Sequence, residues 1–289
     1  MATLRPLEVG LMFWGDHEPL KMIRAVKSLG LRCGHLGFTG AINLAGLGEV
    51  YKKALADENF VITAVFAAYD GESYADFPTV LETVGFIPPA TREAREKRTY
   101  EVVDMTAAMG VPIFACHVGF VPEDHTNPTY APVRDMVRRI CDYCAGKGII
   151  FALETGQEPA ETLLHFLEDV DRPNLKLNFD PANLVLYGTS EPIAALKLVG
   201  KHVVSVHCKD GNWPDRSKPG TLGTEMPLGE GAVDIGWFVS TLREVGYTGA
   251  LTIEREVALD QDMDERHQAK LAHVDDIKRA VALLESLRG

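Results

Sequence analysis

Four residues of metal-ligating types follow short apolar segments at regular intervals along the chain. They are, in chain order, Glu154, Asp180, His207 and Glu254. The segments that they close, GIIFALE, LKLNFD, VVSVH and ALTIE, have the apolar and β-branched character of strands. Intervals of 26 and 27 residues each fit one strand–helix unit of an α/β barrel, and the last interval of 47 residues fits one unit plus an insertion. Three carboxylates and one imidazole at strand ends would converge on one face and suit a divalent cation such as Mn²⁺, Mg²⁺ or Co²⁺.

A single acidic residue or histidine at a strand end is usually a solvated or hydrogen-bonded loop residue. The four together are more informative, because independent loop charges have no reason to repeat with the period of a barrel. The spacing therefore predicts one metal site built from all four side chains.

Strand-like and helical patterns alternate through the whole chain, which predicts α/β class and a single (β/α)8 TIM barrel over residues 1–289. The predicted strands are 8–14, 31–37, 60–66, 111–117, 148–154, 175–180, 203–208 and 250–254. The predicted helices are 19–29, 48–58, 91–109, 131–147, 159–170, 191–200, 234–245 and 266–287.

Composition excludes several classes of partner. The 289 residues are 46% hydrophobic and carry a formal net charge of −12, which argues against electrostatic binding to nucleic acid or anionic membranes.

Five scattered cysteines, without framework spacing, predict reduced thiols in the cytoplasm. Cys141 and Cys144 form a lone C-x-x-C on a helical pattern, which favours packing over zinc or redox chemistry. The N-terminal apolar segment 9–14 is too short for a signal peptide or membrane span.

Two connections are unusually long, at 67–90 and 210–233. Both follow strands, so a barrel would place them on its catalytic face, where long loops commonly act as lids or specificity walls. The alternative is a surface excursion without a catalytic role.

Further side chains are candidates for contact with a substrate. Lys209 shares a strand face with His207, so it could bind a substrate oxygen or merely balance charge. His35 and His117 close the second and fourth predicted strands and could contact a hydroxyl, or be ordinary hydrogen-bonded residues. Four other candidates have equally simple alternatives in barrel packing or helix-start solvation: Trp14, Phe66, Gln157 and Glu158.

Several segments resemble the xylose isomerase-like TIM barrel superfamily, whose members include sugar phosphate isomerases and epimerases. The resemblance lies in FALETG, LNFDPANL, VSVHCKDG, PLGEG-x-VD and LTIERE, all in the second half of the chain. It implies one divalent metal, Mn²⁺ first and Co²⁺, Mg²⁺ or Zn²⁺ otherwise, held by the four residues above. It also implies a small-molecule sugar substrate and an enediolate mechanism, with Glu154 and Glu254 as the acid/base pair. The cytoplasm is the expected location, and assembly into a homo-oligomer is compatible with the sequence.

Two positions depart from the ketose 3-epimerases that this chain resembles. Those enzymes carry a histidine three residues after the metal-binding aspartate, where this chain has Asn183, which can donate a hydrogen bond but cannot exchange protons near neutral pH. Arg216 is only a loose counterpart of an epimerase arginine.

Three alternatives stay open. Metal-dependent lyases, of the inosose dehydratase or 3-keto-glycoside type, share the same metal site. A non-catalytic sugar-binding barrel would not need the glutamate pair. An abasic-site endonuclease of the same superfamily would need more metal-binding histidines and a grip on phosphates.

Overall fold

Eight parallel strands close into a barrel in the computed structural model, which describes residues 3–255 and 273–289. Around the barrel the strands follow chain order, and the last pairs with the first. The barrel strands are β1 Val9–Trp14, β2 Cys33–Phe38, β3 Val61–Ala67, β4 Ile113–Cys116, β5 Ile150–Glu154, β6 Leu175–Phe179, β7 Val203–Cys208 and β10 Leu251–Ile253. The predicted single (β/α)8 barrel is confirmed, and each predicted strand bound lies within two residues of the observed one.

The helices cover the outside of the barrel and connect its strands. They are α1 Pro19–Lys27, α2 Leu47–Glu58, α3 Phe77–Thr83, α4 Arg92–Met109, α5 Tyr130–Ala145, α6 Ala160–Val170, α7 Pro181–Tyr187, α8 Pro192–Val199, α9 Ile235–Glu244 and α10 Val274–Leu287. Residues 266–272 of the last predicted helix lie outside the described residues. No described helix combines the length and the apolar character needed to cross a membrane.

Three short elements were not predicted from the sequence and lie in the connections between predicted strands and helices. Helix α3 begins after Asp76, whose side chain accepts the backbone N–H of Thr79 at 2.8 Å. Helix α7 begins directly after Asp180. The third is a two-stranded antiparallel hairpin of β8 Asp210–Asn212 and β9 Thr224–Met226. Elements this short do not show a helical or strand period, and in the sequence only the two helices are marked, by their capping aspartates.

The core has an outer and an inner part. The outer part packs the strands against the helices and includes Cys141 and Cys144, both fully buried on α5. All five cysteines are buried and free, so the C-x-x-C pair belongs to the core. The inner part fills the barrel with residues that are mostly small: Ala64, Phe66, Ile113, Ala115 and Ala152.

Candidate metal centre and active site

The four predicted metal ligands meet at the carboxyl end of the barrel. One ligand atom from each side chain lies within 4.8 Å of the other three. His207 Nδ1 lies 2.8 Å from Glu154 Oε1 and 3.2 Å from Glu254 Oε2. The same nitrogen lies 3.9 Å from Asp180 Oδ2. All four side chains are 10% exposed or less, so little solvent screens their charges.

The strand ends and the first turn of α7 place these ligands. Glu154 is the last residue of β5 and is aligned with Asn178 of β6. Asp180 follows β6 directly, and its Oδ1 accepts the backbone N–H groups of Ala182 and Asn183 at 2.8 and 3.1 Å. The Asp-Pro-Ala-Asn sequence thus uses one carboxylate oxygen of Asp180 as a helix cap and leaves the other for the site.

Burial and mutual contact shift the pKa values within the cluster. Burial raises the pKa of Asp180 well above its ordinary value; Lys209 opposes this rise and Glu254 adds to it. Burial alone would lower the pKa of His207, but the carboxylates of Glu254 and Glu154 outweigh it and the pKa lies well above its ordinary value. Burial alone would raise the pKa of Glu254, but His207 and Lys209 outweigh it and the pKa is well below its ordinary value. Glu254 is therefore ionised at neutral pH.

One oxygen of Asp180 has no hydrogen-bond donor in the described part of the chain, and this bears on whether the cluster fits a cation. Oδ2 is buried and has no hydrogen-bond donor among the described residues. A buried acceptor without a partner is costly, and a cation would satisfy it. Three carboxylates and one imidazole form a donor set that suits Mn²⁺, Co²⁺, Mg²⁺ and Zn²⁺ alike. The four residues therefore fit one divalent cation.

Lys209 and Asn183 lie beside the ligand cluster. Lys209 Nζ is 3.2 Å from Glu254 Oε2 and 3.4 Å from Asn183 Oδ1, and Lys209 is 3% exposed. Asn183 also packs against the loop that follows β5, because a Cβ at Gly156 would lie only 2.2 Å from that of Asn183. The structure thus places a buried ammonium and an amide next to one of the candidate ligands.

His117 contacts Glu154, and Glu158 lies on the loop that follows it. His117 Nε2 lies 3.2 Å from Glu154 Oε2, its side chain is 18% exposed, and its ring packs on Tyr74 with centroids 5.7 Å apart. Glu158 follows Glu154 on the same loop and is buried. Burial raises the pKa of Glu158 to about 8, so this carboxyl group is mainly protonated at neutral pH.

His35 lies deeper in the barrel than the sequence predicted. The sequence pattern suggested that His35 closes its strand, but β2 continues past it to Phe38. His35 is three residues before that end, or about 10 Å at the usual rise of a strand. It is 1% exposed and lies beneath His207, with its Nδ1 3.1 Å from His207 Nε2. This placement corrects the prediction that His35 contacts a substrate hydroxyl.

Trp14 and Arg216 lie at the edge of this region or outside it. Trp14, the last residue of β1, is half-buried with its ring over Gly37, where a Cβ would lie 2.7 Å from Trp14 Cε3. Arg216 is exposed in the segment between β8 and β9. Within residues 3–255 and 273–289, no hydrogen bond or ion pair joins either side chain to the ligand cluster.

Asp210 is a structural residue of this face that the sequence analysis missed. Its Oδ1 accepts the backbone N–H groups of Gly211 and Val233 at 2.8 and 3.0 Å. Its Oδ2 accepts those of Gly229 and Gly231, both at 2.9 Å. One buried carboxylate therefore fixes the whole PLGEG turn. The sequence feature that could have indicated this role is the glycine-rich turn, because its backbone N–H groups need an acceptor.

The barrel has relatives among known proteins. Residues 23–286 match the family described as xylose isomerase-like TIM barrel. The crystal structure of a xylose isomerase domain protein from Planctomyces limnophilus is 34% identical, with a TM-score of 0.87, covering 99% of this chain and 98% of that one. The structure of a D-allulose 3-epimerase from Methylomonas sp. in complex with D-allulose is 18% identical, with a TM-score of 0.69 and 99% of both chains covered, and shares the fold.

Curated sequences give shorter matches. An L-ribulose 3-epimerase from Methylomonas sp. (strain DH-1) is 27% identical over 151 residues, which is 49% of this chain and 48% of that protein. The matches span between 48% and 60% of the length of the curated relatives. Sugar epimerases and a probable 3-DHS dehydratase occur among the solved structures of this fold. The family match over nearly the whole chain and the closely superimposed barrel lead to one conclusion: the chain belongs to the xylose isomerase-like TIM barrel family.

Proposed function

We propose that this protein is a divalent-metal-dependent sugar isomerase or epimerase that acts on a keto sugar or keto polyol through an enediolate. One observation carries the proposal: two glutamates, an aspartate and a histidine converge around a buried carboxylate oxygen that has no donor among the described residues. A sugar-binding module would need a polar pocket but no pair of glutamates in it. The convergence therefore supports an enzyme.

The proposed metal ligands are Glu154, Asp180, His207 and Glu254. A divalent cation bound there would act as a Lewis acid, polarising a substrate carbonyl and the neighbouring hydroxyl and stabilising the enediolate. The protein's part is to exclude water and to hold the substrate oxygens in one orientation. Burial of all four side chains supports that role.

Glu154 and Glu254 are the proposed acid/base pair. Glu154 ends β5 and Glu254 directly follows β10, and both lie against His207 Nδ1. The lowered pKa of Glu254, which His207 and Lys209 cause in spite of burial, keeps this carboxyl group in the ionised form that a general base requires. Return of the proton to the opposite face of the same carbon gives epimerisation, and return to the neighbouring carbon gives isomerisation.

Four polar side chains are proposed to hold the substrate: Asn183, Lys209, His117 and Glu158. The Lys209 ammonium, 3.2 Å from Glu254, would also stabilise negative charge that develops on a substrate oxygen. Trp14 and Arg216 stay predictions as more distant contacts.

A metal-dependent lyase or dehydratase is the second candidate. Its substrate would be an inosose or a 3-keto-glycoside, which loses a β-hydroxyl or an alkoxyl group from the same enediolate. The observation that favours it is Glu158, whose pKa burial raises to about 8, because a protonated carboxyl group can donate a proton to a leaving oxygen. Asn183 also favours a lyase, since it cannot exchange protons as a histidine would.

The test is an NMR screen in D₂O of the Mn²⁺-loaded protein with ketoses, inososes and 3-keto-glycosides, with a chelated sample as control. Deuterium incorporation with formation of an epimer or isomer would support the proposed function. Loss of water or of an aglycone would establish the lyase instead. Binding without exchange of any carbon-bound proton would show a sugar-binding barrel. In a separate assay of the same Mn²⁺-loaded protein, nicking of an abasic duplex would show an endonuclease.

A further inference from the structure

A buried hydrogen-bond network continues behind the candidate metal ligand His207. His207 Nε2 lies 3.1 Å from His35 Nδ1, and His35 Nε2 lies 3.2 Å from Thr252 Oγ1. His207 and Thr252 are fully buried and His35 is 1% exposed. These three buried side chains therefore hydrogen-bond directly to one another.

When His207 is neutral, as a metal-ligating histidine must be, the protons in this network can be arranged in two directions. In one, Thr252 donates to His35 Nε2, and His35 Nδ1–H donates to His207 Nε2; His207 then carries its proton on Nδ1. In the other, His207 Nε2–H donates to His35 Nδ1, and His35 Nε2–H donates to Thr252 Oγ1. Only the second direction leaves a lone pair on His207 Nδ1, the atom that faces the three carboxylates. A metal-ligating nitrogen needs that lone pair.

We propose that His35 and Thr252 are positioning residues, which hold His207 in its Nε2–H tautomer and keep Nδ1 directed at the three carboxylates. The inference rests on the proposed metal site but not on any sugar chemistry. A hydrogen bond to the second nitrogen of a ligating histidine commonly fixes both tautomer and ring orientation. Here that partner is another histidine, which is itself fixed by a threonine hydroxyl.

The surrounding packing restricts the rings further. The Phe66 ring stacks on His207 with centroids 4.8 Å apart and an interplanar angle of 28°. It also stacks on His35 at 5.2 Å and 27°. Thr252 of β10 is aligned with His207 of the neighbouring strand β7, whereas His35 comes from β2. Three strands and a shared aromatic ring thus hold the imidazole of His207 in place.

Metal affinity is the first measurement, by titration calorimetry with Mn²⁺ on the chelator-treated full-length protein. His35→Phe removes the acceptor but keeps an aromatic ring, and should weaken binding by about 10- to 100-fold. Thr252→Val should weaken it in the same direction, while His35→Gln and Thr252→Ser, which can keep a hydrogen bond, should stay closer to the wild type. Thr106→Val is the matched control, because it removes an equally buried hydroxyl on α4, which donates a hydrogen bond to Val102 O within its own helix. Wild-type affinity in both His35→Phe and Thr252→Val would overturn the inference.

The tautomer is the second measurement and needs neither metal nor substrate. In ¹⁵N-histidine-labelled, metal-free protein, His35 should show a protonated Nε2 and an unprotonated, hydrogen-bonded Nδ1. Thr252→Val should perturb this pattern and Thr106→Val should not, even if His35→Phe fails to fold. A proton on His35 Nδ1 would overturn the inference. A wild type that binds no Mn²⁺ but shows the expected tautomer would instead overturn the metal site of the proposed function.

Discussion

The backbone N–H of Phe77 donates a 3.1 Å hydrogen bond to the carbonyl oxygen of Gly220. Phe77 belongs to the long connection 67–90 and Gly220 to the connection 210–233, so the two are joined on the carboxyl face of the barrel. The ring of Phe120, from the connection after β4, packs on Phe77 with centroids 4.7 Å apart. Three connections therefore support one another beside the candidate site.

Deletion of residues 215–220 removes this hydrogen bond and should impair function more than folding. We expect a rise in KM or a fall in kcat of about tenfold or more on the true substrate, because the wall beside the site loses its support. The melting temperature should change little, since the deleted residues are mostly exposed. Leu198→Ala, at the opposite end of the barrel, is the control. Unchanged kinetics would show that the connection is only a surface excursion.

Removal of the metal should destabilise the wild-type protein. A cation that binds only the folded state at 100 times its Kd adds about 2.7 kcal/mol to the free energy of unfolding. A chelator should therefore lower the melting temperature of the wild type. His207→Ala should show little response to it, because one of the four ligands is lost. Stoichiometric and equally tight metal in His207→Ala would contradict the assignment.

Glu154→Gln and Glu254→Gln should each reduce kcat by about 10²- to 10⁴-fold, the usual contribution of a general base. Glutamine keeps the shape and one oxygen ligand but cannot accept the proton. Glu161→Gln, on the exposed side of α6, should have wild-type kinetics. For an epimerase, each variant should still exchange the substrate proton of one epimer with solvent and lose exchange of the other. Full turnover in both variants would eliminate the two-glutamate mechanism and make Lys209 or His117 the leading candidate base.

Glu158→Gln should change how stability depends on pH. Burial raises the pKa of Glu158 to about 8 in the folded protein, so the folded state binds this proton more tightly than the unfolded state. Its contribution to stability is complete below the unfolded value near 4.5 and is lost as pH rises toward 8, by about 1.4 kcal/mol per pH unit. Glutamine stays neutral, so the variant should gain stability relative to the wild type over this range. Urea unfolding at pH 5, 7 and 8.5 measures the difference, with Glu161→Gln as control. A difference that does not vary with pH would contradict a buried, protonated Glu158.

The sequence by itself determined the barrel and the identity of the candidate ligands. Strand and helix periods are local properties, and every strand bound was placed within two residues. The repeat interval then put the ligands at strand ends that a closed barrel must bring together, and Glu154, Asp180, His207 and Glu254 do converge. The capping signals at Asp76 and Asp180 were also present in the sequence, but the helices that they begin are too short to show a period.

Only the tertiary structure decided which side chains lie in the site and which lie behind it. The predicted end of β2 differs from the observed one by a single residue, yet only the folded barrel shows that His35 is a buried partner of His207 and not a residue at the strand end. The hydrogen bonds from Lys209 to Glu254 and from Phe77 to Gly220 connect segments that are far apart in the chain. Such distances depend on barrel closure and strand register, which follow from packing among all the strands and not from any local pattern.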